Sequence, residues 1–293
     1  MKKTQRRKKS NKNKSAKWKP STCSIFVDSR REKEELPSCV NPALLRKLIR
    51  LWNARYPDNR VKGGYRSKQQ AVIALREKFA DACSNEKCMV ERIVSGTGNE
   101  DIVDHLFAPQ APQEWVDNPT EWLSSLDILR LMNQYEQKYS CFEFIGPSPI
   151  DYDFHIDGEC VWEELCEFDL NNYLAKGKRK IGVIFNLDPH YKGGSHWVAL
   201  FIDAKSRESF YFDSYGIEPP KQIRKFMNGV SSRENQHVMS KRHQYKDSEC
   251  GMYSLHFIIQ MLKNGKKAFD KLEKVSVPDK KMVKLREEYF NVG

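Results

Sequence analysis

The chain has 293 residues, of which 39% are hydrophobic, 11% aromatic and 30% charged, with a mean hydropathy of −0.71. That supplies a core for one large domain or two smaller ones and excludes a wholly disordered chain. A membrane span is excluded as well, because the longest apolar run, residues 251–262, is short and interrupted by His256 and Gln260.

The formal net charge of +11 is concentrated at one end. Residues 1–20 hold ten Lys or Arg and no acid, which leaves 40 basic and 39 acidic side chains for the rest. Such a run repels itself and is expected to be a disordered tail. It suits a nucleic-acid arm, a nuclear-import signal or a solubilising segment. No apolar stretch follows it, so a secretory leader is not expected. Eight cysteines without such a leader suggest free thiols in a reducing, intracellular compartment. Two loose groupings, Cys83 with Cys88 and His155 with Cys160 and Cys166, lack the CxxC pairing of a structural zinc site. They read as small buried apolar cysteines.

Residues 21–95 form a helical N-terminal region. Leu44, Leu45, Leu48, Leu51 and Trp52 recur at helical spacing, as do Val72, Ile73, Leu75, Phe79 and Cys83. A turn at residues 56–59 and a basic loop at 62–68 separate the two helices. That pattern is similar to helix–extension–helix nucleic-acid modules of the SAP type, and equally to a plain helical packing domain. Residues 96–119, with Gly96, Gly98, Pro109, Pro112 and Pro119, read as a linker.

Residues 120–293 change character. A helix is expected from Trp122 to about Tyr135. Short β-branched or aromatic runs at 181–187, 197–202 and 209–212 predict strands, and 236–243 a weaker fourth. From Gly251 the chain is apolar nearly all round, which predicts a buried helix capped by Gly265. Strands followed by a buried helix give an α+β body.

Three pieces of this region carry chemistry. His196-Trp197 opens one expected strand, Asp213 closes the next, and Gln244 precedes Cys250-Gly251 at the start of the buried helix. A hairpin turning at residues 204–207 sets His196 beside Asp213, whose carboxylate can fix the imidazole tautomer. The other ring nitrogen is then free for a nucleophile. Cys250 suits that role, because a helix N-terminus and a nearby imidazolium both stabilise a thiolate. Gln244 can offer an amide N–H to an oxyanion beside the Cys250 backbone N–H.

These residues resemble the Ulp/SENP class of cysteine peptidases, which includes adenovirus protease and processing proteases of large DNA viruses. The shared pattern is His-Trp, an acid seventeen residues after the His, and Gln six residues before Cys-Gly. All are present as His196, Trp197, Asp213, Gln244, Cys250 and Gly251. A Trp-Leu ahead of them matches Trp122-Leu123. The resemblance covers about residues 120–262. It implies a papain-like fold in permuted order, with a central mixed sheet, a buried catalytic helix and no cofactor. It also implies that Trp122 and Trp197 flank a narrow channel for Gly-Gly-like sequences. The run before Cys250, from Lys246 to Glu249, departs from the cellular members, and the first 110 residues match nothing in the SUMO proteases. The expected function is therefore processing of viral precursor proteins during virion maturation, in the virion and host cytoplasm, with DNA or the viral core as partner of the basic N-terminus. A SUMO or ubiquitin-like isopeptidase and a non-enzymatic nucleic-acid-binding core protein are the alternatives.

Overall fold

The computed structural model describes residues 18–27 and 38–292, and the chain forms two units, the second of which takes in residues 107–292 and also the short segment from Thr22. The basic run up to Lys17 lies outside the described residues. Trp18 and Lys19, assigned above to the tail, belong to the fold. The Arg76 guanidinium sits 5.0 Å from the Trp18 ring centre, and the Lys19 N–H donates to the Ser84 carbonyl at 2.7 Å.

The first unit contains α1 (Pro42–Arg55), α2 (Lys68–Glu77), α3 (Glu86–Val94) and α4 (Asp101–Leu106). The first three start on side-chain caps: Asn41, Ser67 and Asn85 each accept a backbone N–H from the first turn. Their apolar faces bury Leu48, Val72, Leu75, Met89 and Val90. One carboxylate, Glu86, is buried among them. It accepts from the Ser38 hydroxyl at 2.7 Å and the Cys39 N–H at 2.9 Å, and burial raises its pKa. The segment 96–119, expected to be a linker, contains α4 and buries Leu106, Phe107, Ala108 and Trp115.

The second unit is built on a five-stranded mixed sheet. In chain order its elements are α5 (Ser125–Lys138), β1 (Phe142–Pro149), β2 (His155–Ile156), β3 (Glu159–Cys160), α6 (Glu163–Cys166), α7 (Leu170–Ala175) and β4 (Lys180–Asn186). There follow β5 (Trp197–Asp203), β6 (Glu208–Phe212), α8 (Lys221–Val230), β7 (Gln236–Val238), α9 (Cys250–Asn264), α10 (Lys266–Lys274) and α11 (Asp279–Tyr289). The sheet order is β1-β4-β5-β6-β7, with β1 parallel to β4, β7 parallel to β6 and the middle pairs antiparallel. Side chains alternate between the faces, yet both faces are buried. Trp197, Ala199 and Phe201 of β5 pack with α5, α9, α10 and α11, whereas Val198, Leu200 and Ile202 pack with α6, α7 and α8. Covering on both sides makes the central strands continuous apolar runs, which is why they stand out in the sequence.

The helix after Trp122 starts at Ser125, because Ser124 and Asp127 form a capping box. The weak fourth strand spans only Gln236–Val238, after which the chain turns back toward β6. Strand β1 was not anticipated; its Gly146-Pro147 and Pro149 carry turn signals, tolerated at the sheet edge. The free-thiol expectation fails for most cysteines. Cys83 is bonded to Cys88 and Cys160 to Cys166, with Cα separations of 5.6 and 6.2 Å that suit a bridge. Among the described residues only Cys141 and Cys250 are free.

Helix α9 lies close on the sheet because β4 carries Gly182 there. A Cβ at Gly182 would stand 2.9 Å from Ile258 Cγ2 and 3.1 Å from the Phe142 ring. Isoleucine is stiff at that branch, so the helix itself must give. Gly182→Val should therefore destabilise the protein by about 1–3 kcal/mol. A thermal melt should show a lowered midpoint, and an unchanged one would contradict this packing.

Candidate active site

Strands β5 and β6 form a hairpin that turns at residues 204–207, so their outer ends bring residue 196 beside residue 213. His196 Nε2 donates to Asp213 Oδ1 at 2.9 Å. The carboxylate is 1% exposed, and the same oxygen accepts the Tyr215 N–H at 2.8 Å. With Nε2 committed to Asp213, Nδ1 is the ring nitrogen left for Cys250, whose thiol is close enough to act on the imidazole. The Tyr215 ring stacks on the imidazole with centroids 5.0 Å apart. Burial alone would lower the His196 pKa. The hydrogen bond to Asp213, the neighbouring Cys250 thiol and the Asp213 charge outweigh it and push the pKa up to about 9.

Cys250 is the first residue of α9 and is buried. Its seat is defined by close packing. A Cβ at Gly251 would lie 3.2 Å from both Leu123 Cβ and Trp197 Cδ1, so a larger residue would lift the helix off this end of the sheet. The Trp197 indole N–H donates to the Leu123 carbonyl at 3.2 Å, and the Ser254 hydroxyl donates to the Trp197 carbonyl at 3.1 Å. The start of β5, the first turn of α9 and the Trp122-Leu123 segment are thereby tied together.

A buried charge pair secures the same corner. Glu249, which precedes the helix, pairs with Arg286 of α11 at 2.9 Å, and both side chains are almost fully buried. The rest of the Arg286 fork donates to the carbonyls of Glu121, Thr120 and Ser248 and stacks 4.3 Å from the Trp115 ring centre. Nothing in the local sequence marks Arg286, which lies 37 residues from its partner.

Gln244 is fully buried beneath the end of β6. Its backbone N–H donates to the Ser214 carbonyl at 2.9 Å, and the Ser214 hydroxyl donates to Gln244 Oε1 at 2.6 Å. With the oxygen held, the amide's NH2 end has a fixed direction; one N–H goes to the Lys246 carbonyl. Arg242 donates to the Gln244 carbonyl at 2.8 Å and lies between the Tyr215 and Tyr245 rings. Ser214, Tyr215 and Arg242 were not singled out in the sequence, although Ser214 and Tyr215 adjoin Asp213.

Beside this corner lies a cleft of about 560 Å³. Trp122 and Trp197 both line it, together with Trp162, His190 and Gly193-Gly194. The two tryptophans differ: Trp122 is 41% exposed and Trp197 only 6%. Trp197 is therefore a floor and Trp122 a wall. Of the other histidines, His243 is buried and His256 half-buried, and both are neutral, lowered to about 4 by burial first and by nearby lysines second. The grouping of His155, Cys160 and Cys166 also converges in space, with ligand atoms within 4.8 Å of one another.

Residues 128–292 match the family model of the Ulp1 protease family, C-terminal catalytic domain. A protein of Acanthamoeba polyphaga mimivirus named as a thiol protease is 31% identical over 235 residues, 76% of this chain and 74% of that one. A cysteine protease of African swine fever virus is 24% identical over 250 residues, 77% of this chain and 89% of its own. The crystal structure of an African swine fever virus protease superposes with a TM-score of 0.61 at 19% identity, covering 95% of this chain and 98% of that one. The chain belongs to the Ulp1 protease family and is a thiol protease related to those of large DNA viruses.

The Glu249–Arg286 pair sets the first stability test of the site. Arg286→Ala leaves a buried carboxylate unpaired and should cost about 3–5 kcal/mol, whereas the double variant Glu249→Gln/Arg286→Met should lose less. Denaturant melts of the three proteins check this. Equal losses in the single and double variants would show that the charge is not what holds the corner.

Proposed function

We propose that Cys250, His196, Asp213 and Gln244 are the catalytic residues and that the enzyme cleaves viral precursor proteins after Gly-Gly-like sequences. The observation that carries the catalytic reading is the imidazole held by Asp213 at 2.9 Å beside the first helical residue of α9, Cys250, which raises its pKa. His196 already holds on Nδ1 the proton given up by the thiol, and the thiolate attacks the scissile carbonyl. The tetrahedral oxyanion is held by the Cys250 backbone N–H and the remaining amide N–H of Gln244. His196 then protonates the leaving amine, and water hydrolyses the thioester with the same imidazole as base. Asp213 keeps the tautomer and supports the imidazolium. None of these steps calls on a metal or a cofactor.

The cleft favours an extended peptide. Trp197 as floor and Trp122 as wall set two indole faces along the cleft beside Cys250, which suits a peptide whose glycines let its backbone approach closely. A second reading, a SUMO-type isopeptidase, is favoured by one observation: another African swine fever virus relative, 24% identical, is named a SUMO-1 cysteine protease. The two share the chemistry and differ in what surrounds the glycines. A panel of precursor-derived peptides and ubiquitin-like probes separates them. Processing of virion precursors without turnover of the probes supports the first reading, and the converse supports the second.

No helix among the described residues is long and apolar enough to cross a membrane. We place the enzyme in the virion and host cytoplasm, with its basic N-terminus on DNA or the viral core. Arg46, Arg50, Lys62, Arg66 and Lys68 line one pocket of the first unit and suit phosphate. A salt-insensitive association with DNA, or none, would sink that part of the proposal.

Substitutions test the chemistry. Cys250→Ser and His196→Ala should each abolish turnover in a folded protein, since the two act as a unit. Asp213→Asn should keep part of it, and Gln244→Ala should lower kcat by about 10²–10³. His196 holds its proton until the pH rises through about 9, so kcat/KM should fall above that value as the acid for the leaving amine is lost. The pairing also stabilises the fold in full below pH 6.5, and that contribution fades as pH rises through about 9. In Asp213→Asn the alkaline limb should move to lower pH. A limb that stays in place, or unchanged turnover in Gln244→Ala, would remove the residue concerned from the site.

A further inference from the structure

Outside the catalytic corner, the densest group of metal-binding side chains is His155, Cys160 and Cys166. They come from twelve consecutive positions in the sequence H-x4-C-x5-C. Strands β2 and β3 form a hairpin whose two turn residues are Asp157 and Gly158, both with positive φ. A two-residue turn of that kind fixes the register, so His155 stands directly opposite Cys160. Helix α6 then brings Cys166 back. The Cys166 N–H bonds to the Trp162 carbonyl, and Leu165 is anchored in the core. His155 Nε2 lies 3.4 Å from Cys160 Sγ, and all three ligand atoms lie within 4.8 Å of one another.

The histidine is prepared as a ligand. Its Nδ1 lies 3.1 Å from the Asp153 carbonyl, which can only accept, so Nδ1 carries the proton. Nε2 then presents its lone pair toward the sulfurs, as zinc-bound imidazoles do. The spacing fits too. With Zn–S near 2.3 Å and Zn–N near 2.0 Å, tetrahedral ligand atoms stand roughly 3.5–3.8 Å apart. The His155–Cys160 separation of 3.4 Å is close to that; the two sulfurs, bonded in this structure, must move apart.

We propose that His155, Cys160 and Cys166 form a Zn²⁺ site in the reduced protein, exchanging with the Cys160–Cys166 disulfide as the clip of this segment. A dithiol reductant supplies two electrons and two protons to the disulfide and leaves as its own cyclic disulfide. The two thiols lose their protons as Zn²⁺ binds both sulfurs and His155 Nε2, and water fills the fourth position. Between the two cysteines lie Val161 and Trp162, which line the cleft beside Trp122 and Trp197. Either clip therefore holds that wall across a change of redox state.

The test uses the full chain carrying Cys250→Ala, so that the candidate nucleophile does not bind the probe. The protein is reduced with a phosphine, freed of reductant under nitrogen and titrated with Co²⁺. The expected result is one Co²⁺ per chain with a thiolate-to-cobalt charge-transfer band, which Zn²⁺ abolishes by displacement. The same protein kept oxidised should show no band, a comparison that needs no further substitution. His155→Ala should weaken binding at least tenfold. Cys160→Ser and Cys166→Ser should each remove most of the band, and Cys83→Ser/Cys88→Ser should leave it intact. No band in the reduced protein, or a full band in both Cys160→Ser and Cys166→Ser, overturns the proposal. Because the readout is spectroscopic, it is independent of whether Cys250 is the nucleophile.

Discussion

The structure turns on how closely α9 can lie against the sheet. Two glycines set that distance. Gly182 of β4 receives Ile258 in the middle of the helix, and Gly251 receives Leu123 and Trp197 at its first turn. A Cβ at either position would meet atoms too near for ordinary contact. This seating alone places the first helical residue, Cys250, against the imidazole at the end of the β5–β6 hairpin. A shift of the helix by one ångström would leave each residue intact and carry the thiol away from the imidazole.

The cost of burying charge in this corner is met by pairing. Asp213 is almost wholly buried yet accepts from His196 and from the Tyr215 backbone. Glu249 is equally buried and faces Arg286, whose remaining donors satisfy three backbone carbonyls. Gln244 has its oxygen held by Ser214. The polar groups around the thiol are thus fixed before any substrate arrives, which is what electrostatic preorganisation requires. Rigid walls follow from the same ties, since Trp197 is both a floor of the cleft and a hydrogen-bonded partner of Leu123.

What the sequence disclosed and what it hid have separate physical causes. Strands β4, β5 and β6 are buried on both faces, so their apolar runs were visible, and α9 is apolar all round for the same reason. The hairpin fixes a short loop, so the proximity of His196 and Asp213 followed from counting residues. Strand β1 was hidden by Gly146, Pro147 and Pro149, which an edge position accepts and a central one would not. Arg286, Ser214 and the exposed Arg242 act through partners distant in sequence or through side-chain geometry that no local pattern encodes. The bridges Cys83–Cys88 and Cys160–Cys166 were missed because their spacing resembles no metal or redox motif, and only the folded turns bring the sulfurs together. The most direct chemical readout of His196 and Cys250 is the reactivity of the thiol itself.

Such a readout exists because the two free thiols differ in the right way. Cys141 is partly exposed and Cys250 is buried, so access alone favours Cys141. Activation by His196 favours Cys250, since the thiolate is the reacting form. Iodoacetamide below one equivalent, followed by peptide mapping, decides between them. The account predicts that Cys250 is alkylated first in the wild-type protein and that His196→Ala reverses the order. Labelling of Cys141 ahead of Cys250 in the wild type, with the same order in His196→Ala, would contradict it.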